Sequence, residues 1–100
     1  MAEETDLEKI ITQGALIIDV RTVDEYKNGH IKGSLNIPLK EIEDAMSWLI
    51  KDVPVVVVCR SGNRSAHAKK ILDANGFTKV YNGGSWSNLG NIKAGGCPIK

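Results

Sequence analysis

The sequence predicts an α/β fold with a central, mainly parallel sheet, and three observations support this class. Two short apolar runs, 15–20 and 53–59, lack the alternation of a half-exposed strand and are typical of strands buried on both faces. Segments with helical spacing of apolar residues lie between the predicted strands. The 100 residues are 42% apolar, which suits one core, and we therefore expect a single domain over 1–100.

In chain order, the first half is predicted to form two helices and two strands. Apolar residues at helical spacing between an aspartate N-cap and a glycine indicate a helix over 6–14. The run "ALIIDV" predicts a buried strand. Thr22 and Glu25 match a capping box and open a short helix over 22–29, with Glu25 read as a capping residue. The following "SLNIPL" predicts a brief strand that a proline closes.

The second half is predicted to form two longer helices and two strands. A helix over 39–51 places six apolar residues on one side: Leu39, Ile42, Ala45, Met46, Leu49 and Ile50. "VPVVVVC" is the strongest strand pattern and predicts a central parallel strand. "NRSAHAKKILDANG" predicts a helix that ends at Gly76. "FTKVYN" predicts the last strand, after which Gly83 and Gly84 are expected to turn the chain.

Composition excludes several classes of function. The 13 basic and 12 acidic residues leave a net charge of +1, and aromatic residues are 5% of the chain, so we expect no nucleic-acid partner. No apolar run approaches the roughly 20 residues that span a bilayer, so we expect no membrane partner. The first residues, "MAEETDLEKI", lack a secretory apolar region, which favours a cytoplasmic location.

The cysteines and histidines do not form a metal-binding pattern. Cys59 and Cys97 are the two cysteines, and no Cys-x-x-Cys pair or Cys/His cluster accompanies them. His30 and His67 stand alone, so we expect neither a metal nor another cofactor. Cys97, in "AGGCPIK", has none of the features that activate a thiol, and a redox role for it is disfavoured.

The loop after the best strand is the main candidate site. Ligands of open parallel sheets bind beyond the carboxyl ends of the strands, where Cys59 ends one strand and Asp19 and Arg21 end another. The start of the next helix supplies free backbone N–H groups, and Gly62 allows them to turn inward around an anion. This setting predicts a lowered pKa and a nucleophilic Cys59. The alternative from the residues alone is an inert cysteine that merely ends a core strand.

Three motifs resemble those of one known family. "CRSGNRS" looks like the active-site loop of rhodanese-like sulfurtransferases, and "LIIDVRTVDEYKNGHIKGSLNIPL" is similar to the other signature of that family. "KVYNGGSW" and "GGCPI" resemble its C-terminal elements. The resemblance implies a rhodanese-like three-layer fold, with a sheet of four or five strands and helices on both faces. A short edge strand in residues 1–6 would be the fifth, although "MAEETD" has little strand character.

The resemblance also implies a reaction and a role for each loop residue. Cys59 would attack a sulfane sulfur donor, become a persulfide and pass the outer sulfur to an acceptor such as cyanide or a thiol, with thioredoxin or a sulfur-carrier protein as possible partners. The substrate-binding residues implied are Arg60, Ser61, Gly62, Asn63, Arg64 and Ser65. Arg60 makes the loop look like the type that uses thiosulfate, with the two arginines recognising an anionic donor. Asp19 and Arg21 would support the loop, unless they form only a local ion pair.

Alternatives to this enzyme remain at this point. A persulfide carrier that serves a partner protein, with little turnover of its own, has the same motifs. Phosphatases that share this fold resemble the chain less, because their loops place more residues between cysteine and arginine than the four between Cys59 and Arg64. A shorter loop fits one sulfur atom better than a tetrahedral phosphate.

Overall fold

One parallel sheet forms the centre of the molecule. The computed structural model describes residues 7–89. The four strands within that range are β1 (Leu16–Asp19), β2 (Leu35–Asn36), β3 (Val55–Cys59) and β4 (Val80–Ser85). Their order in the sheet is β2-β1-β3-β4, and every neighbouring pair is parallel. The predicted α/β class is confirmed, whereas the expected edge strand in residues 1–6 lies outside the described residues.

Helices cover both faces of the sheet, as the resemblance implied. They are α1 (Leu7–Thr12), α2 (Val23–Lys27), α3 (Ile42–Ala45) and α4 (Asn63–Ala74), with 3₁₀ turns at Leu39–Glu41 and Trp86–Leu89. One apolar cluster joins Ile42 of α3 and Leu72 of α4 to Val57 of β3. A second cluster joins Ile11 of α1 to Val56 of β3. The structure therefore has the predicted three layers, helix, sheet and helix.

Strand β3 is buried on both faces because it lies between two strands and two layers of helix. All five of its residues are buried. Side chains of successive strand residues point to opposite faces. Val55, Val57 and Cys59 accordingly belong to the cluster of α3 and α4, while Val56 and Val58 belong to that of α1. This arrangement explains the unbroken valine run and directs the Cys59 side chain toward α4.

The prediction of one continuous helix over 39–51 was wrong. The segment forms a 3₁₀ turn and the single turn of α3, and the chain then continues in turns. The Ser47 hydroxyl donates to the carbonyl of Asp44 at 3.0 Å, and the Trp48 N–H bonds the carbonyl of Ala45 at 3.0 Å. Such local bonds compete with the helical pattern. As a result Leu49 stays buried, but Ile50, which was predicted to face the core, is 64% exposed.

The predicted turn at Gly83 and Gly84 was also wrong, since β4 continues through both glycines to Ser85. Val57 pairs with Asn82 and Val58 pairs with Gly84, which leaves one residue of β4 extra in a bulge. Gly84 takes a φ of +75°, a conformation that favours glycine. The bulge keeps the strand paired as far as Cys59, and β4 therefore reaches the candidate site.

No helix among residues 7–89 is both long enough and apolar enough to cross a bilayer.

Candidate active site

The loop between β3 and α4 wraps closely around the Cys59 sulfur. Gly62 precedes the first residue of α4 and has a φ of +101°, in the left-handed region that strains any residue with a side chain. This conformation aims the Gly62 N–H at Sγ of Cys59, with an N···S distance of 2.9 Å. Ser65, one helical turn further along, places its Oγ 3.6 Å from the same sulfur. Two groups of the loop therefore contact the thiol, and one of them is a backbone N–H of the kind that the sequence predicted around an anion.

Hydrogen bonding outweighs burial in setting the charge of the thiol. Burial of Cys59 is the largest single influence on its pKa and acts to raise it. Hydrogen bonds from the Ser65 backbone, the Ser65 hydroxyl and the Gly62 and Ser61 backbones act in the other direction. Together they hold the pKa of Cys59 below its ordinary value. The sulfur is thus more readily a thiolate, the nucleophilic form, than a buried cysteine in an apolar setting would be.

Arg64 forms an ion pair with Glu25, which the sequence did not predict. Its guanidinium donates to both carboxylate oxygens of Glu25, with N···O distances of 2.9 and 3.1 Å. Glu25 also completes the predicted capping box, because its Oε1 accepts from the Thr22 N–H at 3.0 Å. Glu25 therefore both caps α2 and binds Arg64. The positive charge of Arg64 is paired inside the protein and is not free to bind an anionic donor. The ion pair fixes α2 to the start of α4, 39 residues away in sequence.

The Glu25–Arg64 pair predicts a pH dependence of stability. The hydrogen bond from Arg64, followed by that from the Thr22 N–H, lowers the pKa of Glu25 from 4.5 to about 2. A carboxylate whose pKa is depressed by folding stabilises the fold above its unfolded pKa, and this contribution disappears as the pH falls through the folded pKa. We expect the urea midpoint to fall between pH 4.5 and about 2, and Glu25→Gln to remove part of that fall.

The matched control is Asp52→Asn, which neutralises an exposed carboxylate ahead of β3, at the end of the sheet opposite Cys59. It should leave the acid-dependent fall of the urea midpoint as in the wild type. An equal loss of pH dependence in both variants would contradict a specific role of the Glu25–Arg64 pair.

Asp19 and Arg21 form a buried ion pair at the end of β1. The Arg21 guanidinium donates to Asp19 at 2.9, 3.0 and 2.7 Å, and to the carbonyl of Gly29 at 2.6 Å. Its central carbon lies 4.6 Å from the centroid of the Trp86 ring, so Trp86 packs against the ion pair. These contacts are those of a local ion pair, the alternative role given above for Asp19 and Arg21. Support of the loop by Asp19 and Arg21 stays a prediction.

The other loop residues line the rim of the site. Arg60, Ser61 and Asn63 are exposed, whereas Ser65 is fully buried beside the sulfur. Recognition of a donor by these side chains stays a prediction. Cys97 lies outside the described residues, as does "GGCPI". Among residues 7–89, no group of three or more Cys, His, Asp or Glu side chains is arranged to hold a metal ion.

Sequence reasoning missed Asn82. Its Oδ1 lies 2.6 Å from the Ser65 hydroxyl, and it therefore joins β4 to the loop. The signal that could have found it is topological: the carboxyl ends of parallel strands meet at one edge of the sheet. The predicted turn at Gly83 and Gly84 ended the strand at Asn82, so the strand was not expected to reach the site.

A cleft of about 510 Å³ adjoins the loop at Arg64. Apolar side chains make much of its wall, and Lys40, Glu43 and His67 lie at its polar positions. The remaining lining residues are Val20, Thr22, Pro38, Leu39 and Ile71. The cleft therefore offers space beside the loop for a molecule larger than a small inorganic anion.

Comparisons with known proteins agree with this geometry. The rhodanese-like domain family matches residues 3–88. The chain is 37% identical over 81 residues to the thiosulfate sulfurtransferase PspE of Escherichia coli, covering 79% of this chain and 78% of that protein. A solved structure described as rhodanese with anions from E. coli superimposes with a TM-score of 0.68 and 38% identity, over 75% of this chain and 91% of that one.

One further relative is described as a carrier. The chain is 39% identical over 66 residues to the putative sulfur carrier protein YrkF of Bacillus subtilis. The match covers 66% of this chain but only 36% of that protein.

Proposed function

Because the chain belongs to the rhodanese-like domain family, we propose that it is a sulfurtransferase. In this proposal it moves a sulfane sulfur from thiosulfate, or a similar anionic donor, to cyanide or a thiol through a persulfide on Cys59. The observation that carries the proposal is the environment of Sγ: one N–H lies at 2.9 Å and the pKa is lowered. The similarity to a thiosulfate sulfurtransferase supports the choice of donor.

Two half-reactions account for the transfer. In the first, the Cys59 thiolate attacks the outer sulfur of thiosulfate, the S–S bond of the donor breaks, and sulfite leaves with the bonding electron pair. In the second, cyanide or a thiolate attacks the outer sulfur of the persulfide, and the electrons of that S–S bond return to Sγ. The cysteine is thus regenerated as a thiolate, and no external oxidant or reductant is needed.

The loop assists both half-reactions through its fixed donors. The N–H of Gly62, which already bonds Sγ, stabilises the thiolate before attack and after release. No histidine base is required, since the hydrogen bonds themselves favour the anion. Arg60 at the rim attracts the anionic donor, whereas the charge of Arg64 is already paired with Glu25.

Arg60→Ala is expected to raise the KM for thiosulfate about threefold, because an exposed charge contributes at most about 1 kcal/mol. The kcat should change little, and the effect should shrink at high ionic strength as salt screens the charge. The control is Lys70→Ala, which removes an exposed positive charge from α4 beyond the loop. Equal changes in KM for the two variants would show that Arg60 has no specific role in recognising the donor.

Initial-rate kinetics with thiosulfate and cyanide test the proposed enzyme. Reciprocal plots at several cyanide concentrations should be parallel, as expected when sulfite leaves before cyanide enters. Release of phosphate from an aryl phosphate without sulfur transfer would refute the proposal and favour a phosphatase.

The second candidate is a persulfide carrier, which the similarity to a putative sulfur carrier favours. It would form the same Cys59 persulfide but show negligible turnover of thiosulfate. A persulfide-bearing partner protein would then load Cys59 far faster than thiosulfate does. Comparison of the two loading rates by mass spectrometry separates the carrier from the enzyme.

A further inference from the structure

Asn82 makes three hydrogen bonds that connect β4 to the cysteine loop. Its Oδ1 lies 2.6 Å from Oγ of Ser65 and accepts from the Gly84 N–H at 2.9 Å. Its Nδ2 lies 3.4 Å from the carbonyl oxygen of Gly62. Two of the three partners are residues that also bond the Cys59 sulfur. Asn82 and Gly84 flank the β4 bulge, and the bond between them spans it.

The Gly84 N–H fixes the direction of the bond between Asn82 and Ser65. A backbone N–H only donates, so the Asn82 atom that it bonds must be the amide oxygen. The same oxygen faces the Ser65 hydroxyl. Because an amide oxygen only accepts, Ser65 must be the donor in this 2.6 Å contact.

Ser65 has one hydroxyl proton and three acceptors within reach. These are Oδ1 of Asn82 at 2.6 Å, the carbonyl of Gly62 at 3.1 Å and Sγ of Cys59 at 3.6 Å. While Cys59 is a thiol, its S–H can donate to Oγ of Ser65, and Ser65 can donate to Asn82. A thiolate has no proton to donate, and its sulfur can only accept hydrogen bonds. Ser65 can donate to that sulfur only by turning its proton away from Asn82.

We propose that Asn82 is a positioning residue for the reaction. While Cys59 is a thiol, the Ser65 hydroxyl donates its proton to Asn82 and not to Sγ. When the sulfur is anionic, the same hydroxyl turns and donates to Sγ. The proposal rests on the proposed function, in which Cys59 is the sulfur acceptor. The chemical consequence is that the Cys59 thiol ionises less readily than it would if Ser65 always donated to Sγ. Limited ionisation is useful because a thiolate of very low pKa is a poor nucleophile.

Titration of the Cys59 thiol in Asn82 variants tests the proposal without any sulfur transfer. All variants carry Cys97→Ser, so that Cys59 is the only thiol, and the ultraviolet absorbance of the thiolate is followed against pH. Asn82→Ala releases the Ser65 proton and should lower the pKa of Cys59 by about 0.5, or threefold in thiolate to thiol ratio near neutral pH. Asn82→Asp keeps the acceptor, adds negative charge and should raise it.

The Ser65→Ala background separates this role from a merely structural one. Without the hydroxyl there is no proton to hold, so Asn82→Ala should no longer change the pKa of Cys59. The charged groups near this end of the sheet include Arg64, Glu25, Asp19, Arg21 and Arg60, and they are the same in every variant. An equal shift with and without the Ser65 hydroxyl, or a rise in pKa in Asn82→Ala, would overturn the proposal.

Two further measurements complete the design. Asn75→Ala, which removes an exposed asparagine that bonds the Ile71 carbonyl at the far end of α4, should leave the titration unchanged. Each variant is also incubated with thiosulfate and weighed by mass spectrometry. Sulfur loading of Asn82→Ala with no change in the pKa of Cys59 would refute the role of Asn82 and leave the proposed sulfur transfer intact. A pKa change as expected with no sulfur loading of any variant, including the Cys97→Ser parent, would support Asn82 and refute thiosulfate as the donor.

Discussion

Cys59→Ala is expected to reduce thiosulfate-dependent sulfur transfer on the order of 10³-fold or more, to the background rate, because in the proposed mechanism its thiolate is the nucleophile that receives the sulfur. Cys97→Ala should retain activity near that of the wild type, since its sequence context offers no activating feature. The measurement is the initial rate of thiocyanate formation from thiosulfate and cyanide. Circular dichroism checks that both variants are folded.

The two cysteine variants form a matched pair, because each removes one thiol from the same chain. Residual activity in Cys59→Ala comparable to that of Cys97→Ala would show that Cys59 is not the sulfur acceptor. A loss confined to Cys97→Ala would place the chemistry at the C-terminal thiol and contradict the proposed mechanism.

Asp19→Asn is expected to be the most destabilising change to a charged residue, with a loss of about 3–5 kcal/mol in the free energy of unfolding. Asp19 is 0% and Arg21 only 4% exposed. The variant therefore leaves a guanidinium buried beside a neutral amide, and the cost of an uncompensated buried charge exceeds that of a lost surface pair. Urea denaturation measures the difference.

The control is Asp73→Asn, which breaks the exposed pair that Asp73 forms with Lys69 at 2.6 Å. Exposed pairs of this kind contribute about 0–1 kcal/mol. Similar losses of stability in the two variants would contradict a structural role of the Asp19–Arg21 pair. A stable Asp19→Asn variant with reduced sulfur transfer would instead favour the loop-supporting role predicted from the resemblance.

The parts of the fold and site that the sequence predicted are those set by local pattern. The valine run before Cys59 indicated a central strand because burial on both faces leaves no polar alternation. The capping box of Thr22 and Glu25 fixed the start of α2, since its bonds join residues three apart. Gly62 marked the left-handed residue before α4 because only glycine adopts that conformation without strain.

The features that it could not predict depend on contacts between distant segments. Glu25 and Arg64 are 39 residues apart, and no local pattern indicates that they pair. The bulge in β4 depends on its register with β3, whereas two consecutive glycines alone suggest a turn. The break after α3 is a separate case. The bond from the Ser47 hydroxyl to the Asp44 carbonyl is local, but the apolar spacing of the segment suits a continuous helix and outweighed it in the prediction.

Mass spectrometry of the intact protein after incubation with thiosulfate tests most directly whether Cys59, in its cradle of backbone donors, receives the sulfur. The expected result is a gain of one sulfur atom that maps to the Cys59 peptide, disappears on addition of cyanide and is absent in Cys59→Ala. No gain in the wild type, with thiosulfate or with a persulfide-bearing protein, would contradict the mechanism, as would a gain that Cys59→Ala retains.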